Sequence, residues 1–190
     1  PGSGGVDANV RAALDPAPVT SPGERTTARV RITGHLDAAG AKGAFQLQSQ
    51  NPQTAAKALG QTTGLPATPL ESRGSFALAP GVGQLLARAS LTNLETKIAG
   101  TTFRGQLGWD ATASDRLTFD LACDGLDLDQ LPPIAADGGG PGGFRTEGRL
   151  RVDRVAVRGV EAKNVALSLA SADGNLSGTL AGAEIFSGKL

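Results

Sequence analysis

Over most of this chain apolar and polar residues alternate one for one in short runs, and that period of two constrains the fold more than any other feature. Val30, Ile32 and Leu36 alternate with Arg29, Arg31, Thr33 and His35. Phe45 and Leu47 alternate with Gln46 and Gln48, and Leu117, Phe119, Leu121 and Cys123 with Thr118, Asp120 and Ala122. Successive side chains of a strand point to opposite faces, so each run predicts a strand with one dry and one wet face. The 190 residues include 27 Gly and 11 Pro, whose spacing breaks any long helix.

Read in order, the alternation predicts strands over 27–36, 43–49, 75–78, 85–94, 96–100, 102–110, 117–128, 147–152, 155–158, 165–170 and 176–180. A small-residue turn over 38–43 joins the first two as a hairpin. Asp124 and Gly125 interrupt the phase of the long run, as a bulge or turn does. One short helix is expected over 51–60, with Asn51 as N-cap, Pro52 in the first turn and Gly60 as terminator. The close spacing of short strands predicts a mainly β fold, a curved antiparallel meander sheet with one short helix. Residues 1–25 are expected as a flexible lead or linker with at most an irregular strand near Val19. Residues 26–190 are expected as a single β-rich domain, a fragment of a longer protein.

The dry faces must meet each other or something else, and a sandwich-like closure and an open trough are the two solutions. In a trough the candidate contact residues for acyl chains are Val30, Ile32, Phe45, Leu47, Phe103, Leu107 and Trp109 from the first half. Phe119, Leu121, Leu150, Val152, Leu167 and Leu169 complete the set. In a sandwich the same residues are core. Trp109 ends an apolar row, as either a core anchor or a lining residue.

Composition narrows the function. Lys+Arg and Asp+Glu are 18 each, so no overall field draws the chain to nucleic acid, and no nucleic-acid partner is expected. Locally the charge is segregated: seven Asp lie over 110–137 and five Arg over 145–158. Cross-strand ion pairing explains this, and a phosphate- or headgroup-binding Arg row is the alternative. One Cys and one His leave no internal disulfide or multi-His metal cage, and Cys123 continues an apolar row as a buried thiol. Gly138, Gly140 and Gly143 satisfy G-x-G-x-x-G without the strand-to-helix context of a dinucleotide site. Residues 182–189 fail the P-loop spacing. Asp124, Asp127 and Asp129 lack the Glu that closes a calcium loop, and only Asp127 and Asp129 point the same way, so they read as a solvent-facing carboxylate pair. No catalytic residue, cofactor or metal ligand is expected, and the chain is not expected to be an enzyme. No run approaches the length of a membrane span.

Residues 117–133 then resemble a known family. Leu126, Asp127, Leu128 and Asp129, followed by Leu131, Pro132 and Pro133, are similar to the LDLD-x-YLPP signature of the AsmA family of Gram-negative envelope proteins, with Gln130 and no tyrosine between the two halves. The 51–60 helix, the strand around Thr101 and Phe103 and the ending near Phe186 and Gly188 fit the same order, so the resemblance spans about 27–190. It implies the periplasmic, β-repeat part of a protein anchored in the inner membrane and related to bridge-like lipid-transfer proteins. The implied function is phospholipid transport toward the outer membrane, or outer-membrane assembly, with phospholipid and envelope proteins as partners. A structural or adhesive β domain with a closed core is the alternative.

Overall fold

A computed structural model of the chain describes residues 5–14, 28–53, 68–81, 84–113, 115–129, 145–172 and 175–186. The strands are β1 (Val6–Leu14), β2 (Ala28–Asp37), β3 (Gly40–Ser49), β4 (Leu70–Gly81), β5 (Gln84–Ile98) and β6 (Thr101–Asp110). They continue with β7 (Arg116–Cys123), β8 (Leu126–Asp127), β9 (Arg145–Val157), β10 (Val160–Ala172) and β11 (Asn175–Phe186). All belong to one open sheet in the order β1-β2-β3-β4-β5-β6-β7-β9-β10-β11, with β8 beside β9. The expected mainly β, antiparallel meander is therefore the fold. Its one departure is that β9 lies parallel to β7 and β8.

Two hairpins turn on residue pairs that force the left-handed backbone. Ala99 and Gly100 have φ of 50° and 81°, and Arg158 and Gly159 have 48° and 78°. Two positive φ values in a row define the two-residue turn whose twist matches that of its flanking strands. At the β2–β3 turn the Asp37 carboxylate accepts the Ala39 N–H at 2.8 Å.

Several expected boundaries move. Residues 85–94 and 96–100, expected as two strands, form the single strand β5, and 147–152 with 155–158 form the single strand β9. The cause in β5 is a bulge: Thr92 and Asn93 lie opposite Gln106 alone, and Asn93 has φ 50°. The extra residue switches the dry positions from Ala87, Ala89 and Leu91 to Leu94, Thr96 and Ile98. The long run over 117–128 is divided at Asp124 and Gly125, as its broken phase indicated, into β7 and β8. The flexible lead expected over 1–25 contains β1, which pairs with β2 along its length; Val19 lies outside the described residues. Of the expected helix, Pro52 and Gln53 are helical, and residues 54–60 lie outside the described residues.

The sheet's densest packing is local. Cys123, Val152 and Val165 are buried side by side on β7, β9 and β10, and Phe103, Leu126, Leu150, Val155, Ala162 and Leu167 pack against them. Three strands break their alternation at the same level there. Cys123, Val152 and Val165 are register partners, and so are Leu126, Val155 and Ala162. The two residues between them, 124–125, 153–154 and 163–164, form a seam, and Asn164 with φ 51° takes up the bend. The seam lets six side chains from both of its sides join one cluster.

Candidate functional site

The register places every apolar alternate residue on one face. A single row across it runs Val10, Ile32, Phe45, Gly74, then Leu94, Gly105, Leu121, Leu150, Leu167 and Leu180, from one sheet edge to the other. The row beside it carries Val30, Leu47, Phe103 and Val152. A third carries Phe76, Leu91, Leu107, Phe119 and Leu169, and a fourth Leu36, Leu78, Trp109 and Leu117. All thirteen residues expected to line a trough thus share one face. Sequence reading missed Val6, Val10, Phe76, Leu94, Leu180 and Ile185 on the same face, and left Leu36, which the alternation places there, out of the contact set. Leu94 was hidden by the Asn93 bulge, whereas the alternation at Val6, Ala8 and Val10 was available.

Burial falls off toward both edges. Val152 is 1% and Leu94 8% exposed near the middle, whereas Val10 at one edge is 53% and Leu180 at the other 56% exposed. Phe103, Phe119 and Leu150 are half-buried. Since all described strands belong to one sheet, no described second sheet covers this face, and the sandwich-like solution is set aside for the open one. The middle rows are shielded by their own neighbours. On this face Phe45 leans over Gly74 and Phe119 over Gly148 in the adjacent strand, so the rings lie against the sheet. Trp109, half-buried, holds its indole N–H buried with no hydrogen-bond partner among the described residues.

The opposite face is polar. Arg73 pairs with Glu95 at 2.7 Å, Arg88 with Asp110 at 2.9 Å and Arg151 with Asp120 at 2.9 Å, all between strands that are neighbours in the sheet. Arg104 approaches Glu95 at 3.7 Å, and Arg116 pairs with Glu147. The expected opposition of acidic and basic blocks is realised, though β7 and β9 that carry it run parallel. These groups are solvent-exposed, so each pair contributes about 0–1 kcal/mol. A groove of ≈ 630 Å³ opens on this face over small residues including Ala77, Ser90 and Gly108, rimmed by Lys42, Arg88 and Asp110.

The remaining candidate chemistry is structural. The Asp127 carboxylate accepts the Asp129 N–H at 3.0 Å, the Asp129 carboxylate accepts the Arg158 N–H at 2.7 Å, and the Leu128 N–H donates to the Ala156 carbonyl. The LDLD run therefore clamps the β9–β10 turn. The Asp124 carboxylate accepts the Thr102 N–H at 3.1 Å. Among the described residues no three His, Cys, Asp or Glu side chains converge as metal ligands do. Burial pushes the Cys123 thiol above its ordinary range, and the Asp124 and Asp153 carboxylates push it further. His35 meets Asp7 at 2.8 Å on the polar face. No family model, curated protein or solved structure matches this chain.

Proposed function

We propose that this chain is a non-enzymatic piece of an AsmA-like envelope protein, periplasmic and tethered to the inner membrane in its full length. In this reading its apolar sheet face carries phospholipid acyl chains during transport to, or assembly of, the outer membrane. The observation that supports the reading is the continuous apolar face of an open sheet, exposed at both ends of the row from Val10 to Leu180. Each acyl methylene laid on that face is stabilised by about 0.8 kcal/mol, with no headgroup selection needed.

Native mass spectrometry of the purified chain, with solvent extraction of whatever travels with it, tests this. The informative substitutions are Ile32→Asp and Leu180→Asp, at exposed positions where the fold tolerates a charge. Phospholipid bound by the unaltered chain, and lost from both variants while circular dichroism stays unchanged, is the expected result. A chain that takes up no phospholipid, even from vesicles, or that takes it up equally in both variants, overturns the proposal. A structural or adhesive role is favoured by one other observation: among the described strands, β1 and β11 are each hydrogen-bonded on one side only. An absence of lipid together with strand addition from a protein partner would select it.

A further inference from the structure

Toward one edge of the polar face like charges are stacked across two strands. Arg11 and Arg31 are direct cross-strand partners on β1 and β2, and Arg29 follows on the same face of β2 two residues away. Directly opposite residues of an antiparallel pair have Cβ atoms about 5 Å apart, and like charges there oppose pairing. All three side chains are exposed, and none makes an ion pair among the described residues. Arg145 and Arg149 on β9 make none either, but each lies beside a carboxylate, Glu147 two residues from both and Asp120 opposite Arg149, which the three edge arginines lack. Their β3 neighbours are neutral donors. Gln46 lies opposite Arg31 and Gln48 opposite Arg29 on β3, and with the three arginines they line a groove of ≈ 330 Å³. The nearest carboxylates along the register are Glu71, two strands from Arg29, and Asp7, which His35 engages.

From this we infer that Arg11, Arg29 and Arg31 form a binding site for a phosphate group. Planar guanidinium forks match phosphate oxygens bidentately, and a dianion or diester between them removes the repulsion that the sheet otherwise carries. The two glutamine amides can complete the donor set. The chemistry is common to inorganic phosphate and to a phospholipid headgroup. The site lies on the reverse side of the edge strands whose other face exposes Val6, Val10 and Leu36. A phospholipid could therefore place its phosphate on one face and its chains around the edge on the other. The inference does not rest on the apolar face carrying lipid, because inorganic phosphate alone tests it.

The test compares the 190-residue chain with its Arg31→Gln and Arg11→Gln variants in thermal unfolding, in sodium phosphate and in sodium chloride of equal ionic strength. The chloride series removes general screening of the three charges. At phosphate tenfold above its dissociation constant, the unaltered chain should gain about 3–6 °C in Tm over chloride. Both variants should lose that gain, and Arg31→Gln should already melt higher in chloride because the like-charge pair is gone. A second arm measures co-flotation with phosphatidylcholine vesicles with and without phosphatidylglycerol. Flotation that needs phosphatidylglycerol and falls at least tenfold in the variants assigns the phosphate to a lipid headgroup, and a phosphate-specific Tm gain without flotation assigns it to a soluble phosphate. Equal stabilisation by phosphate and chloride, or a phosphate gain that survives both substitutions, overturns the site.

Discussion

Truncating the same side chain by the same two methyl groups at two places on the apolar face should have very different effects, and the burial gradient sets the ratio. Val152 is 1% exposed within the Cys123–Val165 cluster, whereas Val10 is 53% exposed on the edge strand. At Val152, removing two buried methyl groups forfeits about 1.6 kcal/mol of transfer free energy at about 0.8 kcal/mol each. The space left behind adds to this, because the neighbouring strands are locked in register and collapse incompletely, so Val152→Ala should cost about 2–3 kcal/mol. At Val10 about half the side chain is already in water and the edge can relax. Val10→Ala should cost about 0.5 kcal/mol. For a chain of this size those values correspond to a fall in Tm of about 4–12 °C for Val152→Ala and about 1–2 °C for Val10→Ala. Thermal and urea unfolding followed at the far-ultraviolet β signal would read both. Equal losses at the two positions would refute the reasoning, since they would mean that the face is covered uniformly from edge to centre.

Three further outcomes follow from particular contacts. Gly148→Ala should destabilise by about 1–3 kcal/mol, because a methyl group there would overlap the Phe119 carbonyl and ring; an unchanged urea midpoint would show that β7 and β9 are not held this closely. The Asp110 carboxyl is held below the usual range first by the Thr112 hydroxyl and also by the Thr112 N–H and Arg88. A depressed folded-state value contributes stability that is present above the ordinary carboxylate range and is lost as pH falls through it, so Asp110→Asn should flatten the stability profile below about pH 4 and leave it unchanged in shape above. With its thiol buried and held protonated, Cys123 should resist a thiol-specific reagent at pH 8 in the folded chain and react at once in denaturant. Rapid labelling of the folded chain would place β7 at a mobile edge instead.

Alternation alone made the two faces legible, because a strand's period depends only on backbone geometry and not on what the strand pairs with. That is why all thirteen trough candidates fall on one face, from Val30 on β2 to Leu169 on β10. What alternation could not supply is the extra residue. Asn93 looks like the end of one strand, and only its opposition to Gln106 together with Thr92 shows that the chain continues through a bulge. Asp153 and Arg154 likewise resemble a gap, and only the matching steps at 124–125 and 163–164 reveal a seam crossing three strands. The parallel join of β7 to β9 was equally hidden, since a strand's own pattern does not encode its neighbour's direction. The Arg11, Arg29 and Arg31 cluster required β1, whose Val6, Ala8 and Val10 alternate with Asp7, Asn9 and Arg11 as plainly as any other strand. It was obscured by the Gly- and Pro-rich residues on either side.

Stability and surface chemistry are divided between the two halves of the sheet. The buried cluster and its seam lie on β6 to β10, where Val152, Cys123 and Val165 hold the sheet together. The exposed apolar residues Val6, Val10 and Leu36 and the three arginines without an ion pair among the described residues lie on β1 and β2. A substitution that unfolds the chain and one that removes a ligand contact should therefore map to different strands, which is seldom true of a closed domain whose core and surface share each element. Two places qualify the division: Val157 and Val160 expose apolar surface at the β9–β10 turn, and Leu180 and Ile185 expose it at the far edge on β11, where β10 and β11 carry no arginine behind them. That asymmetry separates the two ligand chemistries. Acyl chains resting on the apolar face alone should respond equally to charges placed at Ile32 and at Leu180. A phospholipid held by its phosphate should respond to Ile32→Asp and Arg31→Gln and be indifferent to Leu180→Asp, so the pattern of loss across these three variants distinguishes a slide along the whole face from capture at one edge.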